Sequence, residues 1–169
     1  MNKKILTTTL LSLLIIGGLG GWWYWRNSPV RQIKKTLETM AELGSSPLGE
    51  STIVKALKTQ RLAEYFSAAA TVEWSSDETT SGGHWVGRDQ ISQQVLAAKN
   101  TVAYQVSLVD LVIKAKRRDP AASAKFTLVA EEESKIRSDT RVWLAEALLL
   151  KEGRRWQVAQ LIFQPTLRR

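Results

Sequence analysis

Moving a proton at neutral pH takes a carboxylate or histidine whose burial brings its pKa toward neutrality. Three residues of this chain have the type and setting for that work. Asp110 sits in a strand-like run with Val106, Leu108 and Val112 on its own face and Val109 and Leu111 beside it. An unpaired carboxylate buried there is costly, so Asp110 is expected to have a partner or a task. Glu146 repeats the pattern between Leu144 and Leu148. For both, the plainer expectation is a cross-strand Lys or Arg, or a sheet face open to water. His84, the sole histidine, follows Gly82-Gly83 and precedes Trp85. It has the chemistry of a general base, although a residue just after a glycine pair is more often exposed or capping.

Tyr65, Trp74 and Trp85, with Glu146, are the residues expected to line a pocket. Phe66, Trp143 and Trp156 are the other large rings of this region. Rings at alternating strand positions are equally what a sheet packs against its helices. The chain has no cysteine, which removes disulfides, thiolate metal sites and cysteine nucleophiles. One histidine without cysteines argues against a transition-metal site, so neither metal nor cofactor is expected. There is no phosphate-cradling glycine loop, no G-x-S-x-G elbow and no H-E-x-x-H pair.

The elements that must position these residues follow from spacing. Pro29 opens a helical pattern with Ile33, Leu37, Met40, Ala41 and Leu43 on one face, closed by Gly44-Ser45-Ser46-Pro47. A second helix follows a Ser51 or Thr52 cap, with Ile53, Ala56, Leu57 and Gln60 on one side. A strand at 70–75, a polar loop at 76–83, a short strand at 84–86 and a helix starting near Asp89 come next. Arg88 and Asp89 are expected to serve the turn and the helix cap. Four strand-like runs at 102–116, 122–132, 140–150 and 155–163 then read as an antiparallel meander, punctuated by Asp119-Pro120 and Glu152-Gly153. Helices first and long strands last predict an α+β domain, with helices against one face of a curved antiparallel sheet.

Lys3 and Lys4 precede Ile5–Trp25, an uncharged run of 21 residues ending in Trp22-Trp23-Tyr24-Trp25. As a helix it spans about 30 Å, the thickness of a bilayer's hydrocarbon core. Aromatics beside Arg26 suit the headgroup interface. Residues 1–26 therefore read as a signal anchor or, alternatively, a cleaved signal peptide, although no A-x-A site is present. Residues 27–169 are left as one domain. The short lysine-bearing tail favours an inner-membrane chain with its domain periplasmic or otherwise extracytoplasmic. Arg26, Arg31, Lys34 and Lys35 at the outer end weigh against that orientation. Lys+Arg total 24 against 16 Asp+Glu, a net charge of +8, which suits a solvated surface or anionic headgroups beside the anchor. The scattered basic residues disfavour nucleic acid. The cluster Lys114, Lys116, Arg117 and Arg118 runs straight into a turn.

Three segments carry a family resemblance. They are Arg61-Leu62-Ala63-Glu64-Tyr65-Phe66 leading into Thr71-Val72-Glu73-Trp74, Gly82-Gly83-His84-Trp85-Val86-Gly87-Arg88-Asp89-Gln90-Ile91, and Leu148 to Val158 through Glu152-Gly153-Arg154-Arg155-Trp156. Over residues 30–165 the chain resembles the nuclear transport factor 2-like superfamily, the cystatin-like cone folds, which has a polyketide-cyclase-like branch. The resemblance implies a conical domain with a pocket between helices and sheet, and frequent homodimers through the sheet's outer face. It does not assign an activity, because the fold hosts isomerases, cyclases, dehydratases and non-catalytic modules. The expected function is a membrane-tethered binding or interaction module without catalytic activity, meeting the membrane through residues 5–25 and taking a small apolar ligand or a protein partner. The alternative is a small-molecule isomerase, cyclase or dehydratase with Asp110 or His84 as base.

Overall fold

The computed structural model describes residues 28–75, 82–116, 118–133 and 139–166. The proposed anchor, 1–26, lies outside them. No helix among the described residues is long and apolar enough to cross a membrane.

Ser28 caps the first helix, α1 (Pro29–Gly44), by accepting from the Arg31 amide, and Pro29 occupies the first turn, where its missing N–H costs nothing. Ile33, Leu37 and Met40 form its buried stripe. Ser51 caps α2 (Thr52–Ala63) in the same way, through the Val54 amide. On α2, Thr59 and Leu62 are buried, whereas Ile53, Val54 and Leu57 are exposed together with nearby Leu48. The chain then enters β1 (Phe66–Trp74), β2 (Gly83–Val86), α3 (Arg88–Thr101), β3 (Tyr104–Ala115), β4 (Ala121–Glu132), β5 (Thr140–Glu152) and β6 (Arg155–Pro165). Gly87, at φ 87°, takes the N-cap position of α3 in place of Asp89, which lies in the first turn where its charge suits the helix dipole.

The six strands form one sheet in the order β2-β1-β6-β5-β4-β3. The meander β3 to β6 is antiparallel throughout, as expected. The sheet as a whole is mixed rather than antiparallel, because β1 pairs with β6 in parallel, Val72 opposite Leu161 and Trp74 opposite Phe163. Alternation identifies a strand but carries no sign of its direction. Here β1 and β6 are far apart in sequence, so no hairpin fixes their relative sense.

The helices cover one face. Ala122, Ala124 and Phe126 of β4, Ala145, Ala147 and Leu149 of β5, and Trp156, Val158 and Leu161 of β6 are buried in one cluster with Ile33, Leu37, Met40, Phe66 and Ile91. Ser46 bridges Tyr104 in antiparallel sense, and the Ser45 hydroxyl accepts from the Val106 amide at 2.9 Å. Followed backwards from there, α1 runs along β3 toward its Ala115 end. Ser28 therefore lies at the same end of the sheet as the β3–β4 and β5–β6 turns, which are joined by a 2.7 Å bond from the Lys151 amide to the Pro120 carbonyl.

Candidate functional site

The three acid–base candidates do not converge. Asp110 has φ 54°, the one non-glycine residue with positive φ among those described. It forms a β-bulge in β3, where the register jumps between the Val109–Thr127 and Val112–Lys125 pairs. Aspartate is among the few side chains that tolerate left-handed backbone. The extra residue reverses the strand's alternation, so Leu108, Leu111 and Ile113 pack inward while Val109, Asp110 and Val112 are exposed. Asp110 thus faces water, the plainer of the two expectations for it, although Leu108, expected on its face, packs inward; its place in the strand is the bulge.

Glu146 is also exposed, on the sheet face away from the helices, and pairs with Lys125 directly opposite on β4. That is the cross-strand ion pair expected for it, and it removes Glu146 from the pocket set. His84 is exposed near the end of β2, opposite Glu73. It borders an open cleft of about 560 Å³ with Glu73, Trp74, Gly83 and Ile162. The Glu73 carboxylate is bonded to the Gln160 amide at 3.4 Å. Trp74 and Trp85 pack on each other with ring centroids 4.6 Å apart, tilted by 54°. Tyr65, Trp85 and Phe163 are half-buried against the core. Of the expected pocket residues, Trp74 lines this cleft, while Tyr65 and Trp85 serve the core.

What the strands do bring together is apolar surface. On β5 the inward positions are Ala145, Ala147 and Leu149, while Leu144, Leu148 and Leu150 are exposed. Opposite them on β4 lie Thr127, Ser123 and Ala121. Next to β4 come the exposed Val109 and Val112 of β3. The result is a face with leucines on β5 and valines on β3, between which β4 presents Ala121, Ser123, Thr127 and the Lys125–Glu146 pair, with exposed Lys114 opposite Ser123.

A second cluster was missed by sequence reasoning. Lys99, near the end of α3, is 0% exposed, and its ammonium donates to the Leu43 carbonyl in the last turn of α1. Lys55 of α2 donates in turn to the Lys99 carbonyl at 2.6 Å, and Ser46 reaches the same oxygen. Each lysine satisfies a carbonyl that the end of a helix leaves open, where the dipole favours a cation. Burial pulls the Lys99 ammonium down to about 8, and Lys58 and Lys55 add to the fall, while Glu50 opposes it. Glu50 pairs with Lys58, its side chain only 7% exposed. The signal was legible: Lys99 continues the stripe Ile91–Val95 at the next helical repeat. Beside this cluster an open cleft of about 420 Å³ runs between α1 and β3, lined by Glu38, Glu42, Lys58, Tyr104 and Glu133. Burial pushes the Tyr104 hydroxyl up to about 12. Glu133 is held at the rim by the Leu48 amide at 2.9 Å.

No protein-family model matches the chain, and no curated protein sequence matches it. Solved structures do. A nuclear transport factor 2-like protein of cystatin-like fold from Novosphingobium aromaticivorans superposes with a TM-score of 0.65 at 10% identity, covering 98% of this chain and 91% of that one. A Mycobacterium tuberculosis protein of unknown function gives 0.66 at 14% identity, covering 89% and 77%. A provisionally assigned dehydratase of the same fold group from Streptomyces avermitilis gives 0.63 at 11% identity, covering 82% and 97%. These likenesses establish the architecture: the chain has the nuclear transport factor 2-like, cystatin-like fold that the three sequence segments implied.

Proposed function

We propose that this chain is a non-catalytic interaction module, tethered to a membrane by residues 5–25, whose outer sheet face pairs with a second copy. The observation that carries the reading is the outer face of β5, which leaves Leu144, Leu148 and Leu150 exposed while Ala145, Ala147 and Leu149 face the core. Fully burying a leucine or valine is worth about 1.5–3 kcal/mol. With five such side chains roughly half exposed, covering the patch yields on the order of 4–7 kcal/mol per protomer. Two protomers together then match the roughly 4–15 kcal/mol that association costs. Such a pair forms weakly in free solution and firmly when a common membrane raises the local concentration. The adjacent Lys125 and Glu146 suit a two-fold arrangement, since each charge can face its opposite on the partner.

The enzymatic alternative needs Asp110 or His84 inside an apolar pocket. Both are exposed, and Asp110 is committed to a bulge. The dehydratase name of one structural relative is a statement about that protein alone.

The chain has no cysteine, so Ser123→Cys on the outer face supplies a unique thiol. In membranes, a short bis-maleimide is expected to link this variant into dimers, and Arg61→Cys on the exposed side of α2 is expected to stay monomeric. Equal cross-linking of the two would refute pairing through this face.

A further inference from the structure

The described charges are divided along the long strands. At the end where α1 begins, Arg31, Lys34 and Lys35 lie in its first two turns, all exposed, with no acid in the first turn. The β3–β4 and β5–β6 turns at the same end carry exposed Lys116, Arg118, Lys151 and Arg154 against Asp119 and Glu152. At the other end, where β4 leads into β5, stand Glu131, Glu132, Glu133 and Asp139, the last paired with exposed Arg141, and Glu38 and Glu42 occupy the half of α1 nearer to it.

The polarity of α1 runs against its own dipole, which favours anions at the start and cations at the end. Lys34 reaches Glu38 only at 3.7 Å between two exposed side chains, a contact worth little. Lys35 has no ionic partner among the described residues. Lys34 and Lys35 work against their own helix without strong ionic partners among the described residues, which points to something outside the domain.

We propose that this basic end docks flat on an anionic lipid surface. The inference rests on the tether reading, which supplies the geometry. The uncharged run ends at Trp25, three residues before Ser28, and those few residues span at most about 10 Å. A bilayer at Trp25 therefore lies within one Debye length of the Ser28 end of the domain, where headgroup charge is still felt. The end with more acids faces away, and with it the cleft lined by Glu38, Glu42, Lys58 and Glu133.

The test uses the full chain in nanodiscs of phosphatidylcholine, with or without phosphatidylglycerol. Asp119→Cys and Glu131→Cys place single fluorophores at the two ends, read by a lipid-borne quencher. With phosphatidylglycerol, the Asp119→Cys probe is quenched and the Glu131→Cys probe is not. Molar salt abolishes the difference. Changing Lys116, Arg118, Lys151 and Arg154 to Gln weakens docking about fivefold per cation, with far-UV circular dichroism unchanged. Quenching that ignores lipid charge, or that favours Glu131→Cys, overturns the docking while leaving the tether intact. Release of the chain from native membranes by carbonate overturns both. Displacement of the Asp119→Cys end by an oligonucleotide at equal phosphate concentration overturns the lipid in favour of nucleic acid.

Discussion

Lys99 closes the end of α1 from the end of α3: its ammonium, fully buried, donates to the carbonyl of Leu43. With the Lys55 bond to the Lys99 carbonyl it joins three helices at one corner, and it gives the domain a distinctive pH response. The folded-state pKa of Lys99 is lowered to about 8 from 10.5. Between those values the unfolded chain holds a proton that the folded chain has shed, so stability rises with pH across the window. The slope reaches at most about 1.4 kcal/mol per pH unit for one proton. Lys99→Met removes this rise. Urea titrations from pH 7.5 to 10.5 are expected to show the wild type gaining on the variant as pH increases.

Tyr104 acts in the opposite sense above that range. Its hydroxyl is held up to about 12 by burial, from 10. Between those values the folded chain keeps a proton that the unfolded chain loses, and stability falls as pH rises. Tyr104→Phe is expected to flatten the decline between pH 10 and 12, read by thermal melts in the same buffers.

Gly83 is held to glycine by Trp74. A Cβ at this position would meet the Trp74 ring at 2.6 Å. Gly83→Ala must displace the indole from Trp85, at a cost of about 1–3 kcal/mol for overpacking. Loss of near-ultraviolet tryptophan dichroism together with a lower melting temperature is the expected outcome. Unchanged dichroism would mean that the rings are not coupled as described.

The bulge at Asp110 separates backbone geometry from catalysis. Asp110→Gly suits φ 54° and is expected to leave stability within about 1 kcal/mol of wild type. Asp110→Val forces a β-branched residue into left-handed backbone and costs about 1–2 kcal/mol. Chemical denaturation of both variants distinguishes this role from that of a buried acid, for which glycine would be the more disruptive change.

Nearly every element was legible in the sequence, because Pro29, Ser51 and the alternating runs after Asn100 each carry their own local signal. What escaped needed knowledge of the third dimension. Alternation put Asp110 on one face with Leu108, and the structure parts them, because one inserted residue reverses the parity of a strand without altering its composition. Leu144, Leu148 and Leu150 face outward beside Glu146 while Leu149 faces inward, and composition alone does not say which face of such a strand meets the helices. The parallel β1–β6 pair joins segments some ninety residues apart, beyond the reach of any turn signal. Lys99 was the opposite case, a cation on an apolar helical stripe whose position already implied a buried partner.

Pairing through the outer sheet face is tested most directly by the mass of the full chain in density-matched detergent micelles. Sedimentation equilibrium is expected to give a concentration-dependent dimer that Leu148→Asp converts to monomer, with far-UV circular dichroism unchanged. A monomer at every concentration, or a dimer indifferent to both Leu148→Asp and Val112→Asp, would contradict the account.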